Sequence, residues 1–176
     1  CGISQSRKER EMKGTDKFLA AIVLGVVLLV IVSVVLVMTR PPPAYKEDNS
    51  AENVAYNYLF ALQEHNYFRA YSYLSPSLSG YPPSVERFSS NLRGNALPPE
   101  DDSVTLEIAS SRAAVSGTES VEVTVRSTQF TGGGLFGPSQ HSSLFLMELQ
   151  RENGAWKIVR SDRYFVICWT RAAGCQ

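Results

Sequence analysis

Neither sign of charge prevails in the 176-residue chain: seventeen Lys and Arg balance seventeen Asp and Glu. Phosphate binding needs clustered positive charge, so the balance speaks against nucleic acid as a partner. Histidine is nearly missing, with only His65 and His141. Cysteine is scarce, with Cys1, Cys168 and Cys175. A structural zinc site takes four Cys or His ligands. Two cysteines at the end of the chain with no nearby His do not supply them, so no metal and no cofactor is expected. The length suits one ordinary domain with an appendage, not two large domains.

Charge is also missing locally. From Phe18 to Thr39 the chain reads FLAAIVLGVVLLVIVSVVLVMT, without one charged residue. About 22 helical positions at 1.5 Å each cover about 33 Å, enough for a hydrocarbon core of about 30 Å. Lipid leaves backbone groups no outside partner, and a helix pairs them internally. The run exceeds the apolar stretch of a secretory signal and ends in Met38, Thr39, Arg40 and three prolines without a small-residue cleavage pattern. An uncleaved anchor is therefore expected over 18–39, with the bilayer as its partner. A buried core helix of this length with no polar face would be unusual. Arg7, Lys8, Arg10, Lys13 and Lys17 precede the run, and only Arg40 and Lys46 follow it closely. That asymmetry places residues 1–17 in the cytoplasm as a basic head and everything after Arg40 outside the cell (inner, cytoplasmic) membrane. Cys1-Gly2 is similar to the start of a mature bacterial lipoprotein, which would put the basic head on the other side and conflict with this orientation. Within the run, Ala21, Gly25 and Ser33 share one stripe, a candidate helix-packing face.

Arg40-Pro41-Pro42-Pro43 ends the helix, and the prolines favour an extended spacer over 40–48. A domain over 49–176 follows. Asn49-x-x-Glu52 reads as a capping box. Val54, Ala55, Tyr58, Leu59 and Leu62 recur at helical spacing to about Glu64. Tyr67, Ala70, Tyr71 and Leu74 predict a second short helix, and Ser75-Pro76 stops it. Pro82-Pro83-Ser84 opens a third, with Val85, Phe88 and Leu92 on its buried stripe. Strands follow. Val104, Leu106 and Ile108 alternate with polar residues, as do Val121, Val123 and Val125. Leu144 to Leu149 is almost continuously apolar, which predicts a strand that is central or covered on both faces. Asn153-Gly154 is a hairpin turn before Trp156, Ile158 and Val159. Asp162-Arg163 marks a bend before Tyr164–Trp169. Helices first and an antiparallel sheet after make an α+β domain.

The segment AENVAYNYLFALQEHNYFRAYSYLSP, with His65-Asn66-Tyr67-Phe68-Arg69-Ala70-Tyr71 and Leu74-Ser75-Pro76, resembles the opening of an NTF2-like (SnoaL-like) domain. Asn153-Gly154-Ala155-Trp156-Lys157-Ile158-Val159 is similar to that family's closing hairpin. The likeness covers Asn49 to near Trp169. It implies a cone: helices packed in a strongly curved antiparallel sheet, with a pocket near the open end. It does not imply a task, because the family includes isomerases, dehydratases, binding modules and assembly domains.

An enzyme on such a cone needs a carboxylate or imidazole of tuned pKa beside an oxyanion donor. His65 closes a helix, His141 borders a glycine-rich loop, and Asp101 and Asp102 sit in a loop before a strand. Tyr56, Tyr58, Tyr67, Tyr71 and Tyr73 could line a pocket, but such residues more often pack helix on sheet. No catalytic residues are assigned. Thr131–Pro138 has neither the Lys nor the following helix of a phosphate loop; its ordinary reading is a flexible loop. Its Leu135 and Phe136 are candidate partner-contact residues on a glycine-rich tip. Cys168 and Cys175 are a candidate disulfide if the domain meets an oxidising compartment, tying the tail to the last strand.

Two readings stay open. One is a non-enzymatic, membrane-anchored domain outside the cytoplasm that binds or scaffolds a protein partner, such as an accessory subunit of a membrane complex or a secretion or envelope component. The other is a small-molecule-binding or weakly catalytic pocket. A cone filled by Phe, Tyr and Trp would remove the second; a deep cavity with a buried acid or His would favour it.

Overall fold

The structure, a computed structural model, describes residues 8–39, 43–95, 104–114, 119–134 and 137–175. It comprises two units, Cys1–Ala44 and Tyr45–Gln176. The first holds helix α1, Lys8–Met38. Its stretch Lys17–Met38, 22 residues, is long and apolar enough to cross a membrane, and every residue of 18–39 is exposed. The helix begins well inside the segment read as a basic head.

The second unit orders helices before strands. Helix α2 (Ala51–Gln63) is capped by Ser50, whose Oγ accepts from the Asn53 N–H at 3.2 Å. The expected box on Asn49 is thus displaced by one residue, and Asn49 Oδ1 instead accepts from the Asn53 side chain at 3.0 Å. Two capping residues stand in tandem here, and Ser50 adopts the extended backbone that a cap needs. Asn66 caps α3 (Tyr67–Ser72) by accepting from the Arg69 N–H, and the Ser84 hydroxyl accepts from Arg87 N–H at the start of α4 (Val85–Asn95).

Four strands, β1 (Val104–Ala113), β2 (Ser120–Gly134), β3 (Gly137–Glu152) and β4 (Ala155–Ser161), form an antiparallel meander in the order β1-β2-β3-β4. Asn153 (φ 51°) and Gly154 (φ 83°) both take the left-handed backbone of the tight β3–β4 turn. The β4 edge is closed by Leu74, which bridges Ile158. β1 bulges at Ala109, between Ile108 and Ser110.

Helices cover one face of the sheet. Val54, Tyr58, Leu62, Phe88 and Leu92 meet Val123, Val125, Phe145, Met147, Leu149 and Ile158, all buried. Each such side chain contributes about 1.5–3 kcal/mol of burial. β3 lies between β2 and β4, but it is not covered on both faces: Leu144 and Leu146 are 62% and 37% exposed while Phe145, Met147 and Leu149 are buried. The near-continuous apolar run therefore supplies the core with one side only.

Three further expectations change. Residues 45–48 do not behave as spacer: Asn57, fully buried, accepts from Lys46 N–H (2.8 Å) and donates to Lys46 C=O (2.8 Å) and Asp48 Oδ1 (2.6 Å). This strap belongs to the domain. Tyr164–Trp169 is not a strand, because Tyr164 has φ 58° and Ile167–Thr170 is a 3-10 helix. The glycine-rich stretch is not a long loop, since β2 runs to Gly134 and β3 resumes at Gly137.

Candidate functional site

Among the described residues, aromatic side chains pack together between the helices and the sheet. Trp169, fully buried, stacks on Phe88 (5.1 Å between centroids) and meets Phe165 edge-on (5.0 Å). Phe145 meets Tyr164 edge-on at 5.6 Å. The Tyr58 hydroxyl donates to the Tyr164 carbonyl at 2.5 Å, and full burial pushes its pKa up. Tyr71 donates to the Pro82 carbonyl at 2.8 Å. These tyrosines tie elements together rather than ring a cavity. The buried polar residues among those described are Asn57, five serines and Thr128, without a carboxylate or imidazole. His65 is exposed with φ 55°, its ring edge-on to Tyr67. His141 is exposed inside β3, opposite Gln129, not at a loop edge. Asp101 and Asp102 lie outside the described residues. Among the described residues no cluster of His, Cys, Asp and Glu is fit to hold a metal.

The other sheet face carries the accessible features. Register sets Glu107, Arg126 and Leu144 in one row, and Ser110, Thr124 and Leu146 in the next. A groove of about 470 Å³ runs beside them, lined by Thr105, Glu107, Arg126, Thr128, Phe130 and Ser142 among others. Its floor is partly fixed by the Thr128 and Ser142 hydroxyls, 3.0 Å apart. Phe130 is 44% exposed. Below the leucines, Arg112 pairs with Glu122 at 2.6 Å. The face therefore offers two adjacent leucines and an outlying phenylalanine among hydroxyls and charges of both signs.

A second cleft, of about 380 Å³, opens at the α2 N-terminus beside Trp156 and Arg151. It is crossed by a hydrogen bond from the Ser111 hydroxyl to Glu52, which, with the Glu52 backbone N–H, holds that carboxyl below its ordinary pKa. Arg151 is engaged by Glu119 at 2.9 Å.

The residues singled out by sequence fall in separate places. Ala21, Gly25 and Ser33 lie on α1, where the Ser33 hydroxyl donates to the Leu29 carbonyl at 2.8 Å and a side chain at Gly25 would meet nothing. Leu135 and Phe136 lie outside the described residues. Cys168 and Cys175 form a disulfide with Cα atoms 5.1 Å apart, and it ties the tail to the 3-10 helix, not to a last strand. Sequence reading missed Leu144 and Leu146 as surface residues. The only signal was the excess of a continuous apolar run over the alternation a one-sided sheet needs.

No protein-family model matches the chain, and no curated protein matches it. Among solved structures, an NTF-2-like protein of unknown function from Shewanella oneidensis MR-1 is similar over 61% of this chain and 90% of that one, with 9% identity and a TM-score of 0.39. The class defined by the structure itself is an α+β domain with a four-stranded antiparallel sheet, in a chain that also carries one apolar helix of membrane-spanning length near its N-terminus.

Proposed function

We propose that the chain is a single-pass membrane protein whose domain, an NTF2-like cone outside the cytoplasm, docks a protein partner on the bare face of its sheet. The observation that carries this is the exposure of Leu144 and Leu146 on an inner strand, where the residues between and beyond them are buried. Contiguous apolar groups rimmed by polar ones favour a protein contact. The interior supports the same reading, because among the described residues Phe88, Phe145, Tyr164, Phe165 and Trp169 pack ring against ring there. The basic residues before the apolar run support a cytoplasmic N-terminus.

Purification of the tagged chain from native membranes in mild detergent tests the reading. The wild type should migrate with a partner, and Leu144→Asp should lose it while melting at an unchanged temperature, since the side chain is exposed. A wild-type chain migrating alone as a monomer would remove the proposal.

A further inference from the structure

Beyond α1, Phe68 is the most exposed large apolar side chain among the described residues, at 76%. The other aromatics of α3 are engaged: Tyr67 lies beneath the Arg93 guanidinium (5.9 Å), and Tyr71 packs on Phe88 and Tyr81. Phe68 alone turns outward. Its neighbour Arg69 stacks on Tyr45, 3.6 Å from the ring centroid. Tyr45 is the first residue of the compact unit and is held there edge-on to Phe60 at 4.8 Å.

Chain length then sets a bound. Six residues link Met38, the last of the apolar helix, to Tyr45. Seven extended steps reach at most about 25 Å, and the headgroup layer takes up about 6 Å of that. With 18–39 in a bilayer, Tyr45 stays within about 20 Å of the lipid surface. The surroundings of Phe68 suit that surface. Arg93 and Tyr67 stand together, and Lys157 Nζ reaches the Ser72 carbonyl at the end of α3 (2.6 Å). Asp48, which accepts from Asn57 and Tyr73, sets its negative charge against Arg69. Aromatic side chains among cations are the composition of the membrane–water boundary.

We infer that the α3 surface around Phe68 rests on the bilayer, with the Phe68 ring at the headgroup–acyl boundary. This rests on the membrane reading above, and adds to it a lipid contact made by the folded domain. It leaves the Leu144 face of the sheet for a protein.

The full chain is reconstituted into phosphatidylcholine–phosphatidylglycerol vesicles whose phosphatidylcholine is brominated near the headgroup end of its acyl chains, a quencher of nearby tryptophan. Three single variants, Phe68→Trp, Phe130→Trp and Leu36→Trp, are compared with the wild type, whose own tryptophans are the half-buried Trp156 and the buried Trp169. Leu36 lies near the end of the apolar run, within about 5 Å of its boundary. The Phe68→Trp chain should lose a larger fraction of its emission than the wild type, as Leu36→Trp does, and Phe130→Trp should not. Quenching of Leu36→Trp without extra quenching of Phe68→Trp would leave the anchor intact and overturn the lipid contact. Equal quenching at positions 68 and 130 would also overturn it, since no particular face would then meet lipid. Absence of quenching at position 36 would overturn the anchor and the lipid contact together.

Discussion

A single amide decides where the domain begins. Asn57 projects from α2 and imitates a strand edge, accepting from Lys46 N–H and donating to Lys46 C=O, with a further bond to Asp48. The Tyr73 hydroxyl donates to Asp48 Oδ1 at 3.1 Å and accepts from Arg69 Nε at 3.0 Å. Asn57 is completely buried. Asn57→Leu would keep the volume, remove the side-chain partner of the Lys46 N–H and C=O, and leave the Asp48 carboxylate with the Tyr73 hydroxyl. Leaving buried donors and acceptors unpaired costs about 1–3 kcal/mol each. The variant should lose about 2–3 kcal/mol in urea unfolding at an unchanged denaturant slope. Equal midpoints for variant and parent would show that the strap adds nothing. None of this was visible in sequence, because Lys46 and Asn57 are eleven residues apart and a lone asparagine in a helix reads as a weak helix former.

At the scale of elements, α2 is tied to β1 by the Ser111 hydroxyl on Glu52. That bond and the Glu52 backbone N–H lower the carboxyl pKa beneath its ordinary 4.5. A depressed folded pKa stabilises the fold above the unfolded value, and the contribution disappears as pH falls through the folded one. The gap in melting temperature between wild type and Glu52→Gln should therefore be constant near neutrality and close below about pH 4.5. A gap that persists or widens in acid would contradict the assignment. The elements themselves were largely legible. Periodicity marked α2, α3, α4 and all four strands, and Asn153-Gly154 marked the hairpin. What failed was local ambiguity resolved by distant contacts. The tandem of Asn49 and Ser50 allows either residue to cap. The β3 run satisfies both a buried strand and a one-sided one until the helices are known to cover a single face. Tyr164 leaves extended structure because its carbonyl must meet the Tyr58 hydroxyl, 106 residues away in sequence, which no local pattern records.

For the whole molecule, compartment and covalent chemistry are linked. The disulfide closes a short loop, with Cys168 and Cys175 seven positions apart in sequence, and cross-linking such a loop stabilises by about 2–3 kcal/mol in the chain-entropy account. The loop it closes also carries contacts: the Trp169 carbonyl accepts from Gly80 N–H at 2.9 Å, and the Cys175 carbonyl accepts from Arg87 at 2.7 Å. A side chain at Gly80 would run into the Cys168 and Arg171 carbonyls, so the close approach depends on glycine there. Glutathione and thioredoxin keep such a pair reduced in most cytosols, whereas an extracytoplasmic domain would keep it oxidised. The orientation proposed from the basic head therefore carries a chemical signature. Protein quenched in acid directly from cells and alkylated should take no label at Cys168 or Cys175 until a reductant is added, and two labels afterwards. Full labelling without reductant would place the domain on the reducing side and reverse the proposed orientation, whatever the apolar helix does.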